Sequence, residues 1–242
     1  MKNNLITLIK ISLILVYLVI AAGAIVRMTG SGMGCPDWPK CFGYWIPPTE
    51  RAQLDWKADH FYEKKKIIIV DESLRVAKQD FTSSGQFNPD HWELYTQHDY
   101  ALFNPYHTWI EYINRLFGAL AGLATLLLAA ASLWSWKKNK TITLISFAIV
   151  LGMGFQAWLG KVVVDSNLMP HKITIHMGMA LLIVLGLVIL LFITSRKNNT
   201  IEISPFLKYV SLGAVLLTLF QIGLGTQIRQ YVDLKMHTSS SG

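Results

Sequence analysis

The stretch ITIHMGMALLIVLGLVILLFIT, residues 173–194, contains no Asp, Glu, Lys or Arg. A helix needs about 20 mainly apolar residues to cross the hydrocarbon core of a bilayer, so this stretch is predicted to be a transmembrane helix. Four other stretches are also mainly apolar. The five predicted helices are Leu5–Val26, His107–Trp136, Thr141–Val164, Ile173–Thr194 and Phe206–Ile228. The predicted fold is an all-α integral membrane protein, a four-helix transmembrane bundle plus a fifth helix.

The composition of the whole chain agrees with this prediction. Of the 242 residues, 52% are hydrophobic and 15% are charged, and the mean hydropathy is +0.37. Soluble domains carry about 25% charged residues, and the deficit also excludes disordered, coiled-coil and collagen-like chains. The net charge of +7 lies largely in the short gaps between apolar stretches, which is typical of cytoplasmic loops and does not indicate nucleic-acid binding.

Positive charge in the short loops predicts the orientation in the membrane. Lys and Arg collect in cytoplasmic loops, and here they lie before the first helix, between the second and third, and between the fourth and fifth. These residues are Lys2, Lys137, Lys138, Lys140, Arg196, Lys197 and Lys208. The N-terminus is therefore predicted to be cytoplasmic and the chain to be a multi-pass protein of the cell membrane.

The chain has four predicted parts: helix 1 at residues 1–27, an extracytoplasmic loop or cap at 28–106, helices 2–4 at 107–194, and helix 5 with a tail at 195–242. The cap is rich in aromatic residues, unlike a flexible linker. Within it, the apolar run Ile67–Val70 fits either a short strand or a helical turn. The Ser-rich tail gives no reason to expect further structure.

Two predicted helices share a short sequence near their ends. FQAWLG at residues 155–160 belongs to helix 3, and FQIGLG at residues 220–225 belongs to helix 5. Glycine lets membrane helices approach closely and glutamine hydrogen-bonds between them, so common packing requirements explain the likeness. A duplicated bundle, whose second copy begins at helix 5, is the alternative explanation.

Helix 2 begins with several polar residues on one face. His107, Glu111 and Arg115 are each four residues apart, and Asn114 lies on the same face. Polar residues within a bilayer are costly and usually face the bundle interior, where they carry function. The alternative is that Glu111 and Arg115 simply neutralise each other.

Helix 4 carries His176 about one turn inside the membrane. A lone histidine there is either a core residue with satisfied polar atoms or a ligand of heme iron. Helices 2 and 4 are predicted to enter the bilayer from the same side. Glu111 and His176 are therefore expected at a similar depth, facing one cavity.

The two cysteines, Cys35 and Cys41, have five residues between them. This spacing is not that of a Cys-x-x-Cys redox pair, and two cysteines without a neighbouring histidine make a poor zinc site. A disulfide that stiffens the loop is the plainest interpretation. A redox-active disulfide is the alternative.

Several of these residues lie in motifs that resemble the heme A synthase family. The sequence GAIVRMTGSGMGCPDWP at residues 23–39 and its continuation KCFG at 40–43 are similar to the start of that family. The stretch WIEYINRL at 109–116 and IHMGMA at 175–180 fit the same family. The resemblance implies an eight-helix bundle of two similar halves, of which this chain would contain the first half and one helix of the second.

The resemblance also implies a reaction. The family oxidises a ring methyl group of heme O to the formyl group of heme A, for cytochrome oxidase, with water as the oxygen source. Its first half holds the substrate heme, and its second half holds a heme b that relays electrons. By the same resemblance Glu111 is the essential acid, His176 a heme ligand, and Cys35 and Cys41 the family's cysteine pair.

One position departs from the family pattern. The family's helix 2 often reads Glu-x-x-His, and here the last place is Asn114, so His107 is the possible substitute ligand. The expected heme-binding residues are His176, His107, Asn114 and Arg115, with His176 and His107 as the iron ligands. The heme b ligands are expected in a C-terminal half absent from this sequence.

The expected partners are the lipid bilayer, heme O, heme O synthase, an electron acceptor and other copies of the chain, with no nucleic acid. Two other functions stay open. One is a non-catalytic heme-binding membrane subunit or assembly partner. The other is a disulfide-generating membrane oxidoreductase that uses Cys35 and Cys41.

Overall fold

The computed structural model describes residues 2–96, 103–166, 168–195 and 204–240. Within these ranges five helices are long and apolar enough to cross a bilayer, which confirms the prediction of a multi-pass membrane protein. The helices are α1 (Lys2–Met28), α2 (Pro105–Ser132), α3 (Lys140–Asp165), α4 (Pro170–Ser195) and α5 (Pro205–Ser240). The predicted basic loop residues Arg196 and Lys197, and the last two residues of the tail, lie outside the described residues.

The helices begin where the local sequence favours a start. Pro105, Pro170 and Pro205 each occupy the first helical position, where the missing N–H of proline costs nothing. The start of α3 is capped by Asn139, whose side-chain oxygen accepts a 3.0 Å hydrogen bond from the Thr141 N–H. The Ser-rich tail gave no reason to expect further structure, but α5 continues through it to Ser240. No proline or glycine occurs after Gly225 and before Gly242 to end the helix earlier.

The chain divides into two compact units, Met1–Tyr17 with Ala119–Gly242, and Leu18–Gly118. In the first unit α3 and α4 pack closely where one of them has a glycine. A Cβ added at Gly152 would lie 2.9 Å from the Met179 methyl group, and one at Gly186 would lie 3.2 Å from Ile149. Close packing of this kind holds membrane helices together, since apolar lipid provides little drive for their association.

The second unit contains the cap, which carries two small antiparallel sheets. One pairs β1 (Phe61–Tyr62) with β4 (Phe81–Thr82), and the other has the order β2 (Ile67–Val70), β3 (Ser73–Ala77), β5 (Trp92–Leu94). The run Ile67–Val70 is therefore a strand.

Strand β2 is buried on both faces. Ile67 and Ile69 belong to a cluster with the disulfide, whereas Ile68 belongs to a second cluster with Tyr62 and Trp92. Alternate side chains of a strand point to opposite faces, so one run of apolar residues supplies both clusters.

Lys66 lies at the edge of the cap with its ammonium group over the Tyr44 ring, 2.8 Å from the ring centroid. Partial burial lowers the pKa of Lys66 from 10.5 to about 8, with nearby Lys40 adding to the effect and Glu63 opposing it. Between these two values the folded cap loses its proton before the unfolded chain does. We expect the free energy of unfolding of the cap to rise with pH across this window, because the cost of a half-buried charge is relieved.

The measurement is denaturant unfolding in micelles at a series of pH values between about 8 and 10.5. The variant Lys66→Met should remove the rise, whereas Lys57→Met, at an exposed position, should keep it. An equal slope in Lys66→Met and the parent would assign the pH dependence to another group.

Candidate functional site

The cysteine loop, residues 29–41, runs along the first part of α2. Its contacts follow the order of the helix. Ser31 Oγ lies 2.9 Å from His107 Nδ1, and the Thr108 hydroxyl donates to the Gly34 carbonyl at 2.8 Å. Further along, the Cys35 N–H donates to Glu111 Oε2 at 2.9 Å. The polar face predicted for helix 2 is therefore a docking face for the cysteine loop.

Glu111 and Arg115 form a buried ion pair. Arg115 Nη2 lies 2.6 Å from Glu111 Oε1, and the two side chains are 15% and 5% exposed. The guanidinium also donates to the carbonyl oxygens of Asp37 (2.7 Å), Lys40 (3.1 Å) and Cys35 (3.4 Å). The two residues neutralise each other, as one of the two sequence interpretations expected, and together they hold the cysteine loop. A catalytic role for Glu111 stays a prediction.

The predicted disulfide between Cys35 and Cys41 is present, and both residues are buried. Asp37 organises the loop that the disulfide closes, because its carboxylate accepts from the N–H groups of Phe42 (2.5 Å) and Gly43 (2.9 Å). Burial raises the pKa of the Asp37 carboxyl group, although these two hydrogen bonds and the nearby Arg115 charge oppose the rise.

Gly34 lies where the cysteine loop approaches α2 most closely. A Cβ added at Gly34 would collide with the His107 carbonyl group and the Thr108 nitrogen, which are backbone atoms and cannot rotate away. We expect Gly34→Ala to push the loop off the helix and to cost about 1–3 kcal/mol or more, as overpacking of a tight contact does.

The matched control for Gly34→Ala is Gly85→Ala in the same unit, where an added Cβ meets nothing within 4 Å. Denaturant unfolding and amide hydrogen exchange of residues 31–43 would measure the effect of each. Equal stability and equal exchange in the two variants would mean that the close approach at Gly34 does not hold.

Two side-chain atoms at this end of α2 take no part in the hydrogen bonds between α2 and the cysteine loop. His107 uses Nδ1 for Ser31, and no hydrogen bond among the described residues uses its Nε2. Asn114 Oδ1 is buried and has no hydrogen-bond partner within the described residues. It faces Gly23 of α1, where an added Cβ would lie 3.8 Å from it. His107 and Asn114 are thus the predicted residues that keep an atom for a ligand.

His176 lies in the other unit, against α3. The side-chain amide of Gln156 donates to the His176 carbonyl at 3.1 Å, and its Nε2 lies 3.5 Å from His176 Nε2. Gly160 leaves space beside the ring, since an added Cβ would lie 3.5 Å from His176 Cε1. The expected cavity shared by Glu111 and His176 stays a prediction, because the two residues belong to different units.

Two buried polar atoms at the contact between His176 and Gln156 lack a hydrogen-bond partner within the described residues. Both His176 Nδ1 and Gln156 Oε1 are buried without a hydrogen-bond partner among the described residues. A buried unsatisfied polar atom typically costs about 1–3 kcal/mol, so such atoms usually pair with a water, an ion or a ligand. The sequence had indicated that Gln156 bonds between helices, but not that its partner is His176.

A family model described as a cytochrome oxidase assembly protein, COX15-CtaA, matches residues 7–84 and 68–239. The chain belongs to the COX15-CtaA family. The resemblance found in the sequence motifs is therefore confirmed. The COX15-CtaA family includes the heme A synthase oxidoreductases and is known to use heme.

Several relatives described as heme A synthases align with most of this COX15-CtaA chain. The protein of Shewanella oneidensis is 27% identical over 80% of this chain and 46% of its own length. That of Flavobacterium psychrophilum is 30% identical over 75% and 47%, and that of Methylobacterium radiotolerans is 27% identical over 87% and 52%. The chain spans about half the length of the curated relatives it matches. No solved structure matches it.

The residues of this COX15-CtaA chain fit a heme in their chemistry. Imidazole is the commonest protein ligand of heme iron, and both His107 and His176 keep a ring nitrogen without a partner among the described residues. Sequence reasoning did not find Ser31, Thr108 and Asp37, which fix the cysteine loop beside His107. Their partners lie 74 to 76 residues away or along the backbone of the loop itself, and no local pattern indicates such pairs.

Proposed function

We propose that this chain holds heme O and takes part in oxidising its ring methyl group to the formyl group of heme A. The observation that carries the proposal is His176, a half-buried histidine whose Nδ1 is buried without a partner among the described residues, in a chain of the COX15-CtaA family. In the proposal His176 and His107 are the iron ligands. The buried oxygen of Asn114, at the position where the family often has a histidine, would accept a hydrogen bond from the substrate.

The proposed role of Arg115 is indirect. Its guanidinium already donates to Glu111 and to three carbonyl oxygens of the cysteine loop. Arginine has five N–H donors in a fixed fork, so these bonds use nearly all of them. Arg115 would therefore support heme binding by fixing the cysteine loop rather than by contacting the heme.

Glu111 is the proposed proton acceptor. Converting a methyl group and one water to a formyl group releases four protons and four electrons. Glu111, whose carboxylate oxygens bond to the Cys35 N–H and to Arg115, is the carboxyl group on this face of α2 that would accept one of these protons. A heme b, when bound, would supply the relay for the electrons.

The cap and the disulfide are proposed to lie on the extracytoplasmic side, since the short basic loops favour the opposite side. Heme O synthase would deliver the substrate, and an electron acceptor and further copies of the chain are the other proposed partners.

The test is expression of the chain with heme O synthase in a host that makes no heme A, followed by heme extraction and chromatography. Heme A or a hydroxylated intermediate is the expected product. The control is Glu111→Gln, which should accumulate heme O. Unconverted heme O with the parent chain would refute its activity as an oxidase of heme O.

A second candidate is a non-catalytic heme-binding membrane subunit or assembly partner. It is favoured by the ring nitrogens of His107 and His176 that have no partner among the described residues, since these would bind heme whether or not it reacts. Purified protein that retains heme but gives no turnover would support it. The third candidate, a disulfide-generating oxidoreductase, is disfavoured because Cys35 and Cys41 are 0% and 1% exposed, which denies access to a thiol substrate.

A further inference from the structure

A row of hydrogen bonds leads from the last turn of α1 to His107. Thr29 Oγ1 lies 2.9 Å from the Ile25 carbonyl oxygen and 3.3 Å from that of Val26. Ser31 Oγ lies 2.6 Å from Thr29 Oγ1 and 2.9 Å from His107 Nδ1. All of these residues belong to the unit Leu18–Gly118. The question is in which direction the hydrogens point, because that decides which nitrogen of His107 carries a proton.

The carbonyl groups at the end of α1 fix the direction at one end of the row. A carbonyl oxygen only accepts, and the Ile25 oxygen, which already accepts from the Thr29 N–H, has a second lone pair for the Thr29 hydroxyl. Thr29 has one hydroxyl hydrogen. If Thr29 gave it to Ser31, two oxygens would face each other at 2.9 Å with no hydrogen between them. If Thr29 instead donates to the Ile25 carbonyl, the contacts of Thr29 with Ile25, of Ser31 with Thr29 and of His107 with Ser31 can all be hydrogen bonds.

The remaining directions follow from counting hydrogens. Since Thr29 has used its hydrogen, Ser31 must donate to Thr29. Ser31 then has no hydrogen for His107 and accepts from Nδ1–H. A neutral imidazole carries one N–H, so Nε2 holds the free lone pair.

We infer that Thr29 and Ser31 are positioning residues that hold His107 in the Nδ1–H tautomer and leave Nε2 to coordinate the heme iron. The coordination rests on the proposed function, in which His107 is a heme ligand. Ligating histidines usually donate their other N–H to a fixed acceptor, which orients the ring and strengthens the ligand. The inference assigns a role to Thr29 and Ser31, which lie in the motif at residues 23–39.

The tautomer is measurable without heme. Protein with ¹⁵N-labelled histidine, kept well above the ordinary histidine pKa of about 6.5, shows by NMR which ring nitrogen is protonated. Comparison with His107→Asn identifies the His107 signals among those of the seven histidines. The parent and Thr29→Ser should show protonated Nδ1 and unprotonated Nε2.

Thr29→Val is the decisive variant. It keeps the size of the side chain at an exposed position and removes only the hydroxyl group. The Ser31 hydrogen is then released to point at His107 Nδ1, and the proton should move to Nε2. Thr29 has no hydrogen bond to His107 among the described residues, so a shift must pass through Ser31. Ser31→Ala should likewise abolish the preference for Nδ1–H. An unchanged tautomer in Thr29→Val overturns the inference.

Heme titration provides the second readout. With heme b as the probe, the dissociation constant should rise about 10- to 100-fold in Thr29→Val and stay at the parent value in Thr29→Ser. If Thr29→Val shifts the tautomer but His107→Ala binds heme as tightly as the parent, Thr29 and Ser31 do set the tautomer and His107 is not a heme ligand. The two failures are thus distinguishable.

Discussion

Replacing Arg115 by alanine is expected to release the cysteine loop from α2. The substitution leaves the buried carboxylate of Glu111 without its counter-charge and leaves three loop carbonyl oxygens without their donor. Removing one partner of a buried ion pair costs about 3–5 kcal/mol. Denaturant unfolding in micelles should show a loss of this size, and hydrogen exchange at residues 35–43 should speed up.

Two controls define the cause of this loss. Arg115→Lys keeps the charge but not the planar fork, so it should recover only part of the stability. Arg51→Ala removes an arginine that pairs with Glu72 on the exposed surface of the cap and should change stability little. If Arg115→Ala is no less stable than Arg51→Ala, the guanidinium does not hold the loop.

Replacing Glu111 by glutamine is expected to stop the proposed oxidation while heme stays bound. The amide cannot accept a proton as the carboxylate can, and loss of a general base typically costs about 10²–10⁴-fold in rate. Conversion of heme O by chromatography and heme content by absorption would be measured on the same preparation. If Glu111→Gln converts heme O as well as the parent does, the role of Glu111 is only to hold the cysteine loop.

The structural part of the Glu111 role is separable by a double-mutant cycle. Glu111→Ala and Arg115→Ala each leave a buried charge without its partner, whereas the double variant removes both charges. The double variant should therefore cost clearly less than the sum of the single variants. Additive costs would show that the pair is not coupled.

The five helices could be predicted because their signal is local. A stretch of about 20 apolar residues usually forms a membrane helix, so the centre of each helix can be located from composition alone. The end of α5 could not be predicted from composition. The Ser-rich tail contains no proline or glycine before Gly242, so the helix continues through it to Ser240. The strand Ile67–Val70 was ambiguous because burial on both faces removes the alternation that identifies a strand.

The candidate site was predictable in its members but not in its pairings. The spacing of His107, Glu111 and Arg115 placed them on one face, yet nothing local indicated that the cysteine loop would cover that face. The cysteine pair was predictable because its two members are close in sequence. The bond from Gln156 to His176 depends on how α3 and α4 pack, which a single sequence does not encode in any short pattern.

The most direct test of heme ligation by this chain is a comparison of His176→Ala with His171→Ala. His176 has a buried ring nitrogen without a partner among the described residues, whereas His171 is exposed at the start of the same helix. Both variants would be purified after expression with heme O synthase, and heme content and absorption spectra recorded. We predict that His176→Ala loses heme and changes its spectrum, while His171→Ala matches the parent. Parental heme content and an unchanged spectrum in His176→Ala would contradict the account.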